Sequence, residues 1–135
     1  MMRDARITMD WADGTYTFRL AWAELAELQE QCDAGPFVIL DRLQTRQWRI
    51  QDVSNVIRLG LIGGGMEPVK ALKLVRSYVE ARPPMENVIY ASGILSAGLM
   101  GAPDEPPGEP KAPNQIETGS TTFPTESSDL AQSTD

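Results

Sequence analysis

The chain has 135 residues, a formal net charge of −7, one cysteine and no histidine. This length supports one small domain, while the cysteine and histidine counts exclude an internal disulfide, a Cys/His zinc site and an imidazole general base. The charge divides unevenly, since residues 1–101 carry a net −1 and residues 102–135 carry −6. Neither part has the basic stripe that phosphate contacts require, so we do not expect nucleic-acid binding. The N-terminus has no apolar stretch of signal-peptide length, and we expect a cytoplasmic protein.

The first predicted element is a β-hairpin. Apolar and polar residues alternate in two runs that are separated by Asp13-Gly14, a dipeptide typical of a two-residue turn. Three cross-strand pairs follow from a turn at that place: Trp11 with Tyr16, Met9 with Phe18, and Ile7 with Leu20. The six apolar side chains then share one face, which helices or a partner's strand must cover because an isolated hairpin is marginal in water.

An amphipathic helix is predicted over residues 21–34. Its apolar stripe consists of Trp22, Leu25, Leu28 and Cys32. Acidic residues flank Cys32, whereas a reactive thiol prefers a basic neighbourhood, so we expect an inert core thiol. The glutamates at positions 24, 27 and 30 face away from the stripe and indicate a solvated surface rather than a metal site or an acid–base pair.

Gly35 is expected to end the first helix, and a second, shorter helix is predicted after it. Pro36 suits the first turn of a helix over residues 37–43, although the consecutive apolar residues there also fit a buried strand. Residues 44–51 are expected to form a loop held by Trp48.

A third helix is predicted over Asp52–Leu61, with Asp52 as its N-cap. Gly60 lies on the apolar stripe of this helix and indicates a close contact with another element. Gly63, Gly64 and Gly65 follow, and we interpret them as a helix end and a hinge. A phosphate-binding loop is disfavoured, because such loops follow a strand and precede a helix, which is the reverse of this order.

A fourth helix begins at Pro68, and a last one runs from Pro84 to about Met100. The last helix lies in a stretch without charge, residues 87–103, that is too short and too broken by glycine for a membrane span. Two interpretations remain open. The helix is buried on all sides, or one side of it is an exposed apolar patch for a protein partner. The residues that we nominate for such a patch are Ile89, Tyr90, Ile94, Leu95 and Met100.

Residues 102–135 are rich in proline, serine, threonine and acids and contain few apolar residues. Such a segment buries too little apolar surface to offset the entropy of ordering, so we expect a disordered acidic tail after a compact domain of residues 1–101.

The segment Arg58–Gly65, RLGLIGGG, with the later steps Arg82-Pro83 and Glu86-Asn87, resembles the small gene-transfer-agent family of phage tail proteins. That family is classed as tail assembly chaperones or tail tube proteins, and the resemblance covers roughly residues 5–101. The resemblance implies a tail-assembly role, with phage-type tail proteins as partners.

The expected fold is α+β: an N-terminal antiparallel hairpin packed on four or five helices, with a disordered acidic tail. The residues contain no catalytic constellation, no cofactor site and no metal site, so we expect a binding protein rather than an enzyme. The resemblance points to a chaperone that binds the tape measure or the tail tube protein in the host cytoplasm. The alternatives are a structural subunit of the tail tube and a small adaptor domain. The sequence does not determine the oligomeric state.

Overall fold

The computed structural model describes residues 4–102. In chain order the elements are β1 (Arg6–Trp11), β2 (Gly14–Arg19), α1 (Trp22–Cys32), α2 (Pro36–Gln44), α3 (Ile50–Gly63), α4 (Pro68–Val75) and α5 (Val88–Met100). A π-helical segment, Arg76–Glu80, continues α4, and a 3-10 turn, Pro84–Asn87, leads into α5. The hairpin and the five helices confirm the α+β prediction. The predicted disordered tail lies outside the described residues except for Ala102.

The hairpin forms, but its turn lies one residue earlier than predicted. Trp11 pairs with Gly14, so the turn residues are Ala12 and Asp13, and Ala12 takes a positive φ of 56°. The observed apolar pairs are therefore Ile7 with Phe18 and Met9 with Tyr16, which corrects the predicted pairing. Moving the turn by one residue shifts the register by two, so every side chain stays on its predicted face.

The second predicted helix is confirmed as α2. Pro36 occupies its first turn, where the missing N–H has no intrahelical partner to lose. Gly35 is the N-cap of α2 rather than the residue that ends α1. Asp33 ends α1 instead, with a left-handed φ of 53°.

The N-cap of α3 lies three residues before the predicted one. Arg49 is the N-cap and Asp52 stands at the third helical position, where its carboxylate accepts a hydrogen bond of 2.8 Å from the Arg49 N–H. Asp52 is fully buried and forms a salt bridge of 3.3 Å with Arg42 of α2. The predicted N-cap is therefore a buried acid that joins two helices.

The glycines of α3 lie where other parts of the chain come very close. A Cβ at Gly60 would be 2.9 Å from Ile94 and 3.4 Å from Phe18, which confirms the close contact predicted there. Cβ atoms at Gly63 and Gly64 would lie 1.8 Å and 2.1 Å from the carbonyl oxygens of Arg19 and Thr17 in β2. Both glycines thus allow the end of α3 to pack against the backbone of a strand.

Gly65 differs from the two glycines before it. It has a φ of 110°, and no atom lies within 4 Å of the position of its missing Cβ. Of the three proposed hinge residues, only Gly65 needs the backbone freedom of glycine. The hinge role itself stays a prediction.

Helix α3 is the centre of the fold, because it contacts β2 and the other four helices. A second connection ties the hairpin to the helices: the Trp11 Nε1–H donates a hydrogen bond of 2.7 Å to the buried Asn87, whose amide donates one of 2.9 Å to the Tyr78 carbonyl. Within residues 4–102, no helix is both long enough and apolar enough to span a bilayer.

Candidate partner-binding surface

Helix α5 buries part of the patch nominated from the sequence. Ile94 and Leu95 have no exposed surface, and Tyr90 is half-buried. A partner of the folded domain therefore has no access to Ile94 or Leu95, which corrects their assignment to a surface patch. Ile89 and Met100 are 75% and 52% exposed, and they stand at opposite ends of the helix. The nominated residues do not form one continuous patch.

A continuous apolar surface lies between α1, α2 and the end of α5. It is an open groove of about 340 Å³. Its lining residues are Trp22, Leu25, Ala26, Gln29, Pro36, Phe37 and Leu99. Trp22 is 88% exposed and Phe37 is 62% exposed. Leaving two aromatic side chains in water at the rim of one apolar groove is costly, and such patches mark protein–protein contact sites.

The position of Trp22 explains why the sequence pattern misplaced it. Helical spacing put Trp22 on the stripe that contains Leu28 and Cys32, both of which are buried. Trp22, however, is the first residue of α1, and helical side chains lean toward the N-terminus of their helix. Its indole therefore extends past the end of the stripe, where no other element covers it. The only signal in the sequence was this terminal position, since Phe37 likewise stands at the start of α2.

Helix α1 is acidic, but no residue that lines the groove is charged. Helix α1 contains three glutamates and no basic residue, and Asp33 follows directly. Glu24 accepts a hydrogen bond of 3.1 Å from the Ala21 N–H and so stabilises the start of the helix. Glu27 and Glu30 are exposed. The glutamates of α1 therefore lie outside the lining of the groove, which agrees with the solvated face predicted for them.

The described residues contain no cluster of side chains suited to metal binding. Within residues 4–102, no group of three or more potential metal ligands lies close together. Burial, together with the negative charge of Asp52, raises the pKa of the Cys32 thiol to about 12. Cys32 is 3% exposed, so the predicted core position of the thiol is confirmed, and its low reactivity stays a prediction.

None of the three proposed hinge glycines lines the groove. Gly64 and Gly65 border a separate surface depression beside Thr17 and Lys70. The structure therefore does not bring the two sets of nominated residues, the hinge and the α5 patch, into one site.

One comparison with known proteins identifies a family. A family model described as "Phage tail tube protein, GTA-gp10" matches residues 4–105, about three quarters of the chain. No curated protein and no solved structure matches this chain.

Proposed function

The chain belongs to the GTA-gp10 family of phage tail tube proteins, and on that basis we propose that it acts as a tail assembly chaperone. It holds an apolar segment of the tape measure or tail tube protein while the tail is built. In this proposal the protein is not an enzyme and acts in the cytoplasm of the host bacterium. The observation that most directly supports this proposal is that Trp22, at the rim of an apolar groove, is 88% exposed.

The groove suits a short amphipathic helix of the partner. Trp22 and Phe37 stand on two different helices with the groove between them, so both rings can close on one inserted side chain. Tryptophan is among the residues that contribute most binding energy when a partner covers them.

A groove of this kind favours temporary binding over permanent incorporation. The groove itself supplies seven lining residues, whereas a standard stable interface has about 20–30 residues on each side. A small apolar contact of this size allows the tail component to leave when it polymerises.

A structural subunit of the tail tube is the second candidate. The description of the family, a tail tube protein, favours it. Against it, the end of α3 lies against the Thr17 and Arg19 carbonyls of β2, whereas a tube built by pairing strands around a ring needs a free sheet edge on both sides of each subunit.

The test is a pull-down of the tagged protein from cells that express the neighbouring tail genes, followed by mass spectrometry. We expect recovery of the tape measure or tail tube protein, and loss of recovery in the variants Trp22→Glu and Phe37→Glu. Ile89→Glu is the matched control, since it adds the same charge to an equally exposed apolar residue outside the groove. Recovery that is lost with Ile89→Glu and kept with Trp22→Glu would place the binding surface on α5 instead.

The same cells distinguish the chaperone from the tube subunit. A chaperone is recovered from lysates during assembly and is absent from purified particles. If the protein instead remains in purified particles in many copies after stringent washing, the structural candidate is correct and the chaperone proposal is wrong.

A further inference from the structure

The outer edge of β2 is covered by another part of the chain, whereas most of the outer edge of β1 is not. In an antiparallel pair, alternate residues of each strand point their N–H and C=O groups away from the other strand. In β2 these include Thr17 and Arg19, whose carbonyl oxygens face Gly64 and Gly63 at the end of α3. The close approach of the helix at both positions covers the outer edge of β2.

The outer edge of β1 is open over its central part. By the same alternation, Arg6, Thr8 and Asp10 point their backbone groups outward. The Arg6 N–H donates a hydrogen bond of 3.0 Å to the Asp4 carboxylate, which agrees with this direction. Among the described residues, no backbone group pairs with Thr8 or Asp10 on this side.

The apolar layer is also incomplete beneath β1. Phe18 of β2 is fully buried, whereas its cross-strand partner Ile7 and the neighbouring Met9 are only half-buried. An open edge with partly exposed apolar side chains beneath it is a template for another strand. The continuation of this chain is a poor candidate for that strand, because prolines at positions 103, 106 and 107 lack the N–H that the edge requires.

We propose that β1 pairs antiparallel with β1 of a second copy of this chain, with Thr8 opposite the partner's Thr8. Charge complementarity favours a second copy of the chain as the partner and favours this register of pairing. With the two-fold axis at Thr8, Arg6 lies opposite the partner's Asp10, and Asp10 lies opposite the partner's Arg6. Ile7 then meets the partner's Met9 on the apolar face. The four strands form one continuous sheet.

This pairing ends at two copies. It is isologous, since the same edge is used by both subunits, and the remaining edge of each subunit is covered by α3. Sheet extension through these two edges therefore makes a dimer and does not make a ring or a filament. The inference does not depend on the proposed groove, because the groove lies on α1, α2 and α5.

The first test is sedimentation equilibrium of the full chain with charge-reversed variants. We expect a reversible dimer whose dissociation constant rises about tenfold or more in Arg6→Glu and in Asp10→Lys, because each change places like charges opposite each other at two symmetric positions. The double variant Arg6→Glu/Asp10→Lys restores opposite charges and the dimer. Arg76→Glu, an exposed reversal on the π-helical segment, is the control and leaves the dimer unchanged.

The second test traps the pairing directly. Thr8→Cys is expected to form a disulfide-linked dimer under mild oxidation, since two-fold symmetry places its Cα within bridging distance of the partner's. Thr15→Cys is the matched control, an exposed threonine on β2, and stays monomeric. A chain that is monomeric at every concentration, or equal cross-linking of the two variants, overturns the proposal. A monomer that still recovers a tail protein would leave the chaperone proposal intact.

Discussion

Alanine at Gly63 is the substitution that most directly tests how the hairpin docks on the helices. The new Cβ would lie 1.8 Å from the Arg19 carbonyl oxygen and 3.0 Å from its carbonyl carbon. Both atoms are backbone atoms of a paired strand, so neither can rotate away. Ordinary contact begins at 3.4 Å, and the end of α3 must therefore separate from β2 by about 1.6 Å.

The expected cost follows from this geometry. Overpacking usually costs about 1–3 kcal/mol, and we expect about 3 kcal/mol because backbone must move. The better helix propensity of alanine offsets less than about 1 kcal/mol of this loss in the free energy of unfolding, because the site is at a helix end. The net loss of about 2 kcal/mol lowers the melting temperature by about 8–16 °C in a domain of this size.

Urea unfolding, followed by circular dichroism, measures the effect. Gly93→Ala is the control, because Gly93 lies inside α5 with nothing within 4 Å of the position of its Cβ. We expect this control to stabilise the domain by about 0.5–1 kcal/mol. Gly65→Ala should cost about 1–2 kcal/mol through its positive φ alone. Equal stability of Gly63→Ala and the wild type would refute the docking of α3 on β2.

Three further substitutions or treatments test the core. Asn87→Leu leaves the Trp11 N–H without a partner and should cost about 1–3 kcal/mol in urea unfolding, whereas a surface asparagine would cost almost nothing. Arg42→Met leaves the buried charge of Asp52 without its salt bridge and should cost about 3 kcal/mol; Asp52→Asn in the same chain should recover part of that loss. With a pKa of about 12 instead of 9.0, Cys32 should react with a disulfide reagent about a thousandfold more slowly in the folded than in the unfolded chain. The thiol of the unfolded chain ionises at a lower pH than that of the folded chain, so the free energy of unfolding should fall as the pH rises above 9.0. Fast labelling of Cys32 in the native protein would contradict its burial.

Local patterns in the sequence were sufficient for the elements and for their faces. Alternation with period two determined which side of the hairpin is apolar, and a register shift of two residues left that result intact. Pro36 marked the start of α2 and Gly65 the turn after α3, because each acts through its own backbone and needs no distant neighbour.

The tertiary structure decided which apolar residues are covered. Trp22 and Leu28 have the same place in a helical pattern, yet one is exposed and the other is fully buried. Ile94 and Ile89 both belong to an uncharged helix, and only the packing of α3 and α2 against α5 separates the core residue from the surface one. Burial depends on residues that are distant in the chain, so a local period can predict a face but cannot predict what lies against it. The same reason placed Gly63 and Gly64 against a strand more than forty residues earlier in the chain.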